Sequence, residues 1–318
     1  PGDAPTGSGP ALTGSLTAGG RSDEPGESTP GLEEPVAAAV DDSGRLWVVD
    51  VARGELVRMT PDATRVELRV RVGERPQSVV YADGGLWVSL RDRGTVARVD
   101  PTTGRVVARI PVGPGPAGVA SAPGQVWVAV TEAGALVGID TSREQVTTTI
   151  KAGAAPQSLA VAGGVAWLTD AAAGSVTRVD TSSGQVSTSG RLCLGPLGVT
   201  TAPGTVWVAC RDSNTVLALD WTTGNVLTEI PVPGGPQALA VNEGRVYVAS
   251  GDGSPVRLID ASTHRLLDAG RAGVPTGGGG VDQSGTSSPA PLAARTGSVD
   301  LTVYDGTVWL VSAIAAST

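Results

Sequence analysis

The 318-residue chain contains no phenylalanine, one lysine, one histidine and two cysteines. Each scarcity excludes something. Without phenylalanine the core must be filled by small and β-branched side chains together with seven tryptophans, a composition that suits flat sheets stacked face to face. A single histidine, His264, rules out a multi-histidine metal box, and a Ser-His-Asp triad would have to be built around that one imidazole. Lys151 is the only lysine, and the 23 basic residues are scattered among 31 acidic ones for a formal charge of −8. No basic stripe is available to track a polyanion, so nucleic acid and anionic membrane are not expected partners. No run approaches the roughly 18 apolar residues needed to cross a bilayer, and no cleavable signal pattern is present.

What is there is a repeat. Trp47, Trp87, Trp127, Trp167 and Trp207 stand 40 residues apart, Tyr247 takes the next position, and Trp309 follows 62 residues later, one period plus 22. A unit of this length centred on one aromatic strand cannot bury both its faces alone and must stack on copies of itself. That is the mark of a radial array of antiparallel sheets, a β-propeller.

The punctuation repeats with the aromatics. Glycine stands three residues before each anchor, at Gly44, Gly84, Gly124, Gly164, Gly204, Gly244 and Gly306, where a tight hairpin needs φ > 0. Seven such turns mean seven blades. Proline opens the inner strand at Pro76, Pro116, Pro156, Pro196 and Pro236, with Pro35 displaced by one, a position that tolerates a missing N–H. Gly54, Gly94, Gly134, Gly174, Asn214 and Ser254 mark the turn into the third strand. In the third unit the four strands are expected near Gly118 to Ser121, Gln125 to Val130, Leu136 to Asp140 and Gln145 to Ala152.

The expected architecture is therefore all-β: a single seven-bladed propeller of four-stranded antiparallel blades over residues 31–318, with a flexible insertion at about 271–298. The insertion, with Gly277 to Gly280 and the run Ser284 to Pro291, reads as too polar and glycine-rich for a strand; it is either a lid or docking loop, or a disordered segment. Residues 1–30 read as a Pro/Gly/Ser-rich linker leading from a membrane anchor or another domain, as expected of either a secreted protein or a membrane-anchored ectodomain. Within it, Ala11 to Thr17 has the spacing to supply the outermost strand of blade seven and close the ring, removing an exposed edge.

Several residues invite a chemical reading. Asp100, Asp140, Asp180, Asp220 and Asp260 recur thirteen residues after the anchors, each with Thr or Ser two residues on; an Asx turn explains them without a metal. The tryptophans recur in every blade, which argues for packing and against an aromatic cage. The glycine run lacks the Lys-Ser/Thr of a phosphate cradle, so no cofactor is called for. His264 replaces the glycine of a bottom-face turn and is expected to be exposed, with Trp221 packing on that same rim.

The non-repeating residues collect on the top face, where the outer strand feeds the next inner strand and the second strand turns into the third. Arg53, Arg75, Arg91 and Arg93 belong to blades one and two and form either an anion-binding patch or, with the interleaved acids, a surface ion-pair network. Glu74, Glu132, Asp170, Arg211 and Asp212 complete the candidate ligand-binding set, and no catalytic or metal-ligating residues are assigned. Cys193 and Cys210 reach the top of one hairpin, because a pair centred on the turn at Ala202 to Gly204 sets position 210 opposite about 196. A disulfide is predicted there, with two free buried thiols as the alternative.

The segment Val96-Ala97-Arg98-Val99-Asp100-Pro101-Thr102-Thr103-Gly104, continued through Arg105 to Gly113 and Gly115-Pro116, with Val126-Trp127-Val128-Ala129, resembles the bacterial YVTN/YncE-like propeller repeat over about Pro35 to Ser312. The resemblance implies an extracytoplasmic, mostly non-catalytic binding, sensor or scaffold protein, recognising a protein, peptide or cell-envelope ligand. The virginiamycin B lyases have similar repeats and open a cyclic depsipeptide with histidines and acids at the channel mouth. This chain has no top-face histidine, so a lyase or hydrolase reading would rest on carboxylates such as Glu74, Glu132 or Asp170 with an arginine.

Overall fold

The computed structural model describes residues 12–17, 31–60, 63–267, 279–281, 287–289, 299–304 and 307–312. Six sheets are four-stranded and antiparallel, each built from four consecutive strands in chain order. In blade three these are Pro116–Ala122, Gln125–Val130, Ala135–Asp140 and Gln145–Lys151, within two residues of the expectation at every boundary. The inner strands pack one against the next around a full circle, and the inner strand of blade seven, Val299–Tyr304, touches those of both blade six and blade one. The ring is closed with seven blades.

Each anchor aromatic fills one seam. Trp47 packs with Leu86 and Val88 of blade two, Trp127 with Leu168 of blade four, Tyr247 with Leu301 of blade seven, and Trp309 with Leu46 and Val48 of blade one. All are buried, and each large flat side chain adds apolar area to the aliphatic cluster that holds blade to blade. The hairpin glycines from Gly44 to Gly244 all have φ between 70° and 76°; Gly306 lies outside the described residues. At Gly54 a Cβ would stand 2.5 Å from the Gly73 carbonyl oxygen, so φ and space demand glycine together.

Blade seven departs from the expected pattern. Leu12–Thr17 does join it as the edge strand, but it pairs directly and in parallel with Thr307–Ser312, giving a sheet of three described strands that is not wholly antiparallel. The direction has a physical reason. An outermost strand must run toward the top face to feed blade one, the same way as the second strand, and with no third strand between them the two come out parallel. The insertion is also corrected: Gly279–Val281 and Ser287–Pro289 form a short antiparallel pair where no strand was expected. Backbone pairing asks only that N–H and C=O groups meet, which glycine and serine permit. The remainder of 271–298 and of the linker lies outside the described residues. Among the described residues no helix is long and apolar enough to cross a membrane.

Candidate functional site

The bottom rim repeats one solution. The Asp140 carboxylate accepts from the Ser142 hydroxyl at 2.7 Å and from the backbone N–H groups of Ser142 and Arg143, and Asp100, Asp180, Asp220 and Asp260 likewise accept the backbone N–H groups two and three residues on in their own turns. These donors favour the charged form. The Ser142 hydroxyl and the Arg143 N–H hold Asp140 down at about 2, the Ser262 hydroxyl and Thr263 N–H hold Asp260 at about 2, and Asp180 is lowered further still by the Ser183 N–H and the Ser182 hydroxyl. Where the aspartate is missing, in blade one, the Thr60 hydroxyl accepts from the Arg65 N–H at 3.0 Å. His264 is half-buried, not exposed as expected: its ring meets Trp207 edge-on with centroids 5.3 Å apart, because an imidazole at a place where a neighbouring blade has glycine lands on the indole. Trp221 packs on Trp167 at 6.1 Å.

The top rim solves one problem in several ways. The residue three past the anchor ends the second strand and faces the incoming loop. In blade one it is Asp50, whose oxygens accept the N–H groups of Glu33 and Glu34 at 2.9 and 3.1 Å. Asp170 in blade four accepts from Ala155 and Ala173, both at 2.9 Å, so both its oxygens are engaged with backbone. Blade five has Cys210, bonded to Cys193 with S–S 2.01 Å and Cα–Cα 6.0 Å, and Pro196 does stand opposite Cys210 in the hairpin. The disulfide fits an oxidising, non-cytoplasmic compartment.

All the candidate top-face arginines but Arg93 are separately paired. Arg53 meets Glu33 at 2.5 Å, Arg75 meets Asp92 at 3.5 Å, and Arg91 meets Glu132 at 3.5 Å. Arg211 and Asp212 bind each other through two contacts of 2.7 and 3.2 Å, which lowers the carboxylate and raises the guanidinium. Arg93 and Glu74 are exposed and make no ion pair among the described residues; Arg93 lines a cleft of about 620 Å³ with Arg91 and Glu132.

The concavity that the fold itself creates lies on the axis. A cavity of about 520 Å³ is walled by the inner strands, with Arg91 at its top mouth, the amides of Gln77, Gln157 and Gln237 coming from alternate blades, and one carboxyl, Asp300. Gly118 and Gly198 make the close approach possible, since a Cβ there would stand 2.7 and 2.4 Å from the carbonyl oxygens of Gln157 and Gln237. Asp300 Oδ2 accepts the Ala38 N–H at 3.0 Å across the closing seam. Loss of water around this carboxyl outweighs the N–H groups of Ala38 and Leu301 and pushes its pKa up to about 6. The candidate set did not include Asp300, yet a signal exists. Nine residues before each anchor stand Ala38, Ser78, Gly118, Ser158, Gly198 and Ala238, and only blade seven puts a charge in that column.

Seven sheets around a lined axial cavity define the class, a seven-bladed β-propeller. No protein-family model matches the sequence, and no curated protein does. Solved structures are similar to it: a virginiamycin B lyase from Staphylococcus aureus at TM-score 0.71 and 15% identity, covering 89% of this chain and 93% of that one. Kuenenia stuttgartiensis hydrazine synthase matches at TM-score 0.68 and 16% identity over 94% and 100% of the two chains. The computationally designed Ika8 protein matches at 0.65 and 14% over 88% and 96%. At such identities the likeness establishes the fold.

Proposed function

We propose that the chain is a non-enzymatic, extracytoplasmic binding propeller of the YVTN/YncE-like kind, serving as a sensor or scaffold. It takes a protein, peptide or cell-envelope ligand on its top face and seats a polar group of that ligand in the axial cavity. The observation that carries this reading is the cavity itself, lined by Gln77, Gln157 and Gln237, by Asp300 and by Arg91. Two of the three acids named for chemistry are otherwise engaged, since Asp170 is a backbone clamp and Glu132 is paired with Arg91, while Glu74 stands exposed outside the axial cavity.

A thermal-shift screen of peptides, glycans and purified cell-wall fragments tests it. Some member of the panel should raise the Tm of the natural chain and leave Asp300→Asn and Gln157→Ala unmoved. A panel that moves none of them, or moves all alike, contradicts the reading.

One observation favours a second reading. A carboxyl held near 6 is poised for proton transfer, and a similar structure is a catalytically inactive virginiamycin B lyase with quinupristin, at TM-score 0.68 and 16% identity. Asp300 would then act as the base in a cavity that Arg91 also lines. Incubation with quinupristin, followed by chromatography for a linear product, separates the two: binding leaves the ring intact, whereas conversion abolished by Asp300→Asn establishes the lyase.

A further inference from the structure

Arginine recurs eleven residues after the anchor in blades one, two and four, as Arg58, Arg98 and Arg178. Each lies directly across the sheet from its blade's tryptophan. The first two each meet an acid and an aromatic face. The Arg58 guanidinium sits 5.7 Å over Trp47 and its Nε donates to Glu67 at 3.0 Å. Arg98 sits 5.7 Å over Trp87 and its Nη1 donates to Glu144 at 2.8 Å, from the bottom turn of blade three.

Arg178 has neither kind of acid. Glu144 stands 46 residues after Arg98, and 46 residues after Arg178 stands Gly224. In blade one, Glu67 is the extra residue of an outer-strand bulge, whereas the outer strand of blade four, Val186–Thr188, is three residues long and pairs without a bulge. Trp221 of blade five occupies the neighbourhood of Trp167. The Nε atoms of Arg98 and Arg178 are both buried without a hydrogen-bond partner, but Arg98 has its ion pair through Nη1, whereas Arg178 makes none among the described residues.

Where a glutamate side chain is absent, space remains. A cavity of about 320 Å³ opens between the outer strand of blade four and the bottom turn of blade five, lined by Trp167, Arg178, Ser187, Ser189, Gly224 and Asn225 among others, none of them acidic. We infer that this inter-blade cavity binds a small carboxylate, which pairs with Arg178 as Glu144 pairs with Arg98, while the rest of the ligand lies against Trp167 and the Ser187 hydroxyl. A guanidinium partly withdrawn from water gains most from a charged acceptor, and two sister arginines in the same register each have one. The site is separate from the axial cavity and does not depend on the function proposed for it. An acidic amino-acid side chain and a uronic acid offer the same chemistry.

The test is titration of the whole chain with N-acetylglutamate and with glucuronate, against N-acetylglutamine and glucose as neutral counterparts, following the Trp167 and Trp221 indole N–H signals by NMR. At least one acid should shift both signals saturably, with its neutral counterpart about ten-fold weaker or worse. A response to N-acetylglutamate alone identifies a peptide-type acid, and to glucuronate alone a sugar acid. Arg178→Gln should weaken the acid about ten-fold or more. Gly224→Glu should abolish binding by placing a carboxylate in the cavity; Glu144 already occupies the equivalent turn at φ 55, close to the φ of 74 at Gly224. Unchanged Trp47 and Trp87 signals establish that both variants are folded. Equal binding of acids and neutral counterparts, acid affinity unaltered in both variants, or no response to either acid overturns the inference.

Discussion

Two sets of aspartates in this molecule have opposite fates. On the bottom rim, Asp140 and Asp260 are wrapped by hydroxyl and backbone donors and held at about 2; in the axial channel, Asp300 has lost water without equal compensation and stands near 6. The chemical group is the same. What differs is whether the position repeats. A residue that recurs in five blades is solving a problem every blade has, here the turn between third and outer strand. A charge that appears in one blade, where the others keep alanine, serine or glycine, is solving something the scaffold does not ask for.

The sharpest way to disturb the scaffold side is at the top of blade five. Replacing both cysteines, Cys193→Ser with Cys210→Ser, opens a loop with a sequence separation of 17 and should cost about 3 kcal/mol, read from denaturant unfolding. An equal loss on adding reductant to the natural chain, with none in the double variant, would assign that cost to the bridge.

The next effect has a sign that separates the two kinds of aspartate. Because the folded pKa of Asp300 lies above its unfolded value, its contribution favours the fold below about pH 4 and is lost as pH rises through about 6. About 3 kcal/mol is the ceiling for a shift of this size, and water reaching the half-buried side chain reduces it. The rim aspartates run the other way: their contribution is present above about pH 4 and lost as pH falls toward 2. Unfolding free energy should therefore peak near pH 4 and decline on both sides. Asp300→Asn should flatten the decline toward pH 6 and leave the acid limb in place.

The smallest effect belongs to single rim turns. Asp140→Ala should lower stability less than either change above, and the effects of Asp140→Ala and Asp220→Ala should add, since these turns share no partner. Cooperative loss in the double variant would show that the rim acts as a unit and not as independent turns.

The scaffold was largely legible before the structure. The 40-residue period, the hairpin glycines and the inner-strand prolines are local demands of chain geometry, so they locate blades, strands and even the register that brings Cys193 to Cys210. The closing strand was located by its spacing but not its parallel pairing, which depends on what else occupies the blade. The pair formed by Gly279–Val281 and Ser287–Pro289 carries no apolar alternation to reveal it. The site was less legible because attention to variable loops favours exposed charges. Asp300 lies inside a regular strand, and its meaning emerges only when the seven inner strands are aligned on their anchors. Arg178 is hidden differently: nothing about it is unusual until Glu144 and Gly224 are seen as the same position.

The most direct test is a carboxyl-carbon NMR titration that follows Asp300 and the rim aspartates in one sample. Asp300 should titrate near 6, with Asp140 and Asp260 near 2. Should Asp300 titrate among the rim aspartates, the channel carboxyl would be one more structural acceptor, and the division between repeated support and unrepeated site would fail.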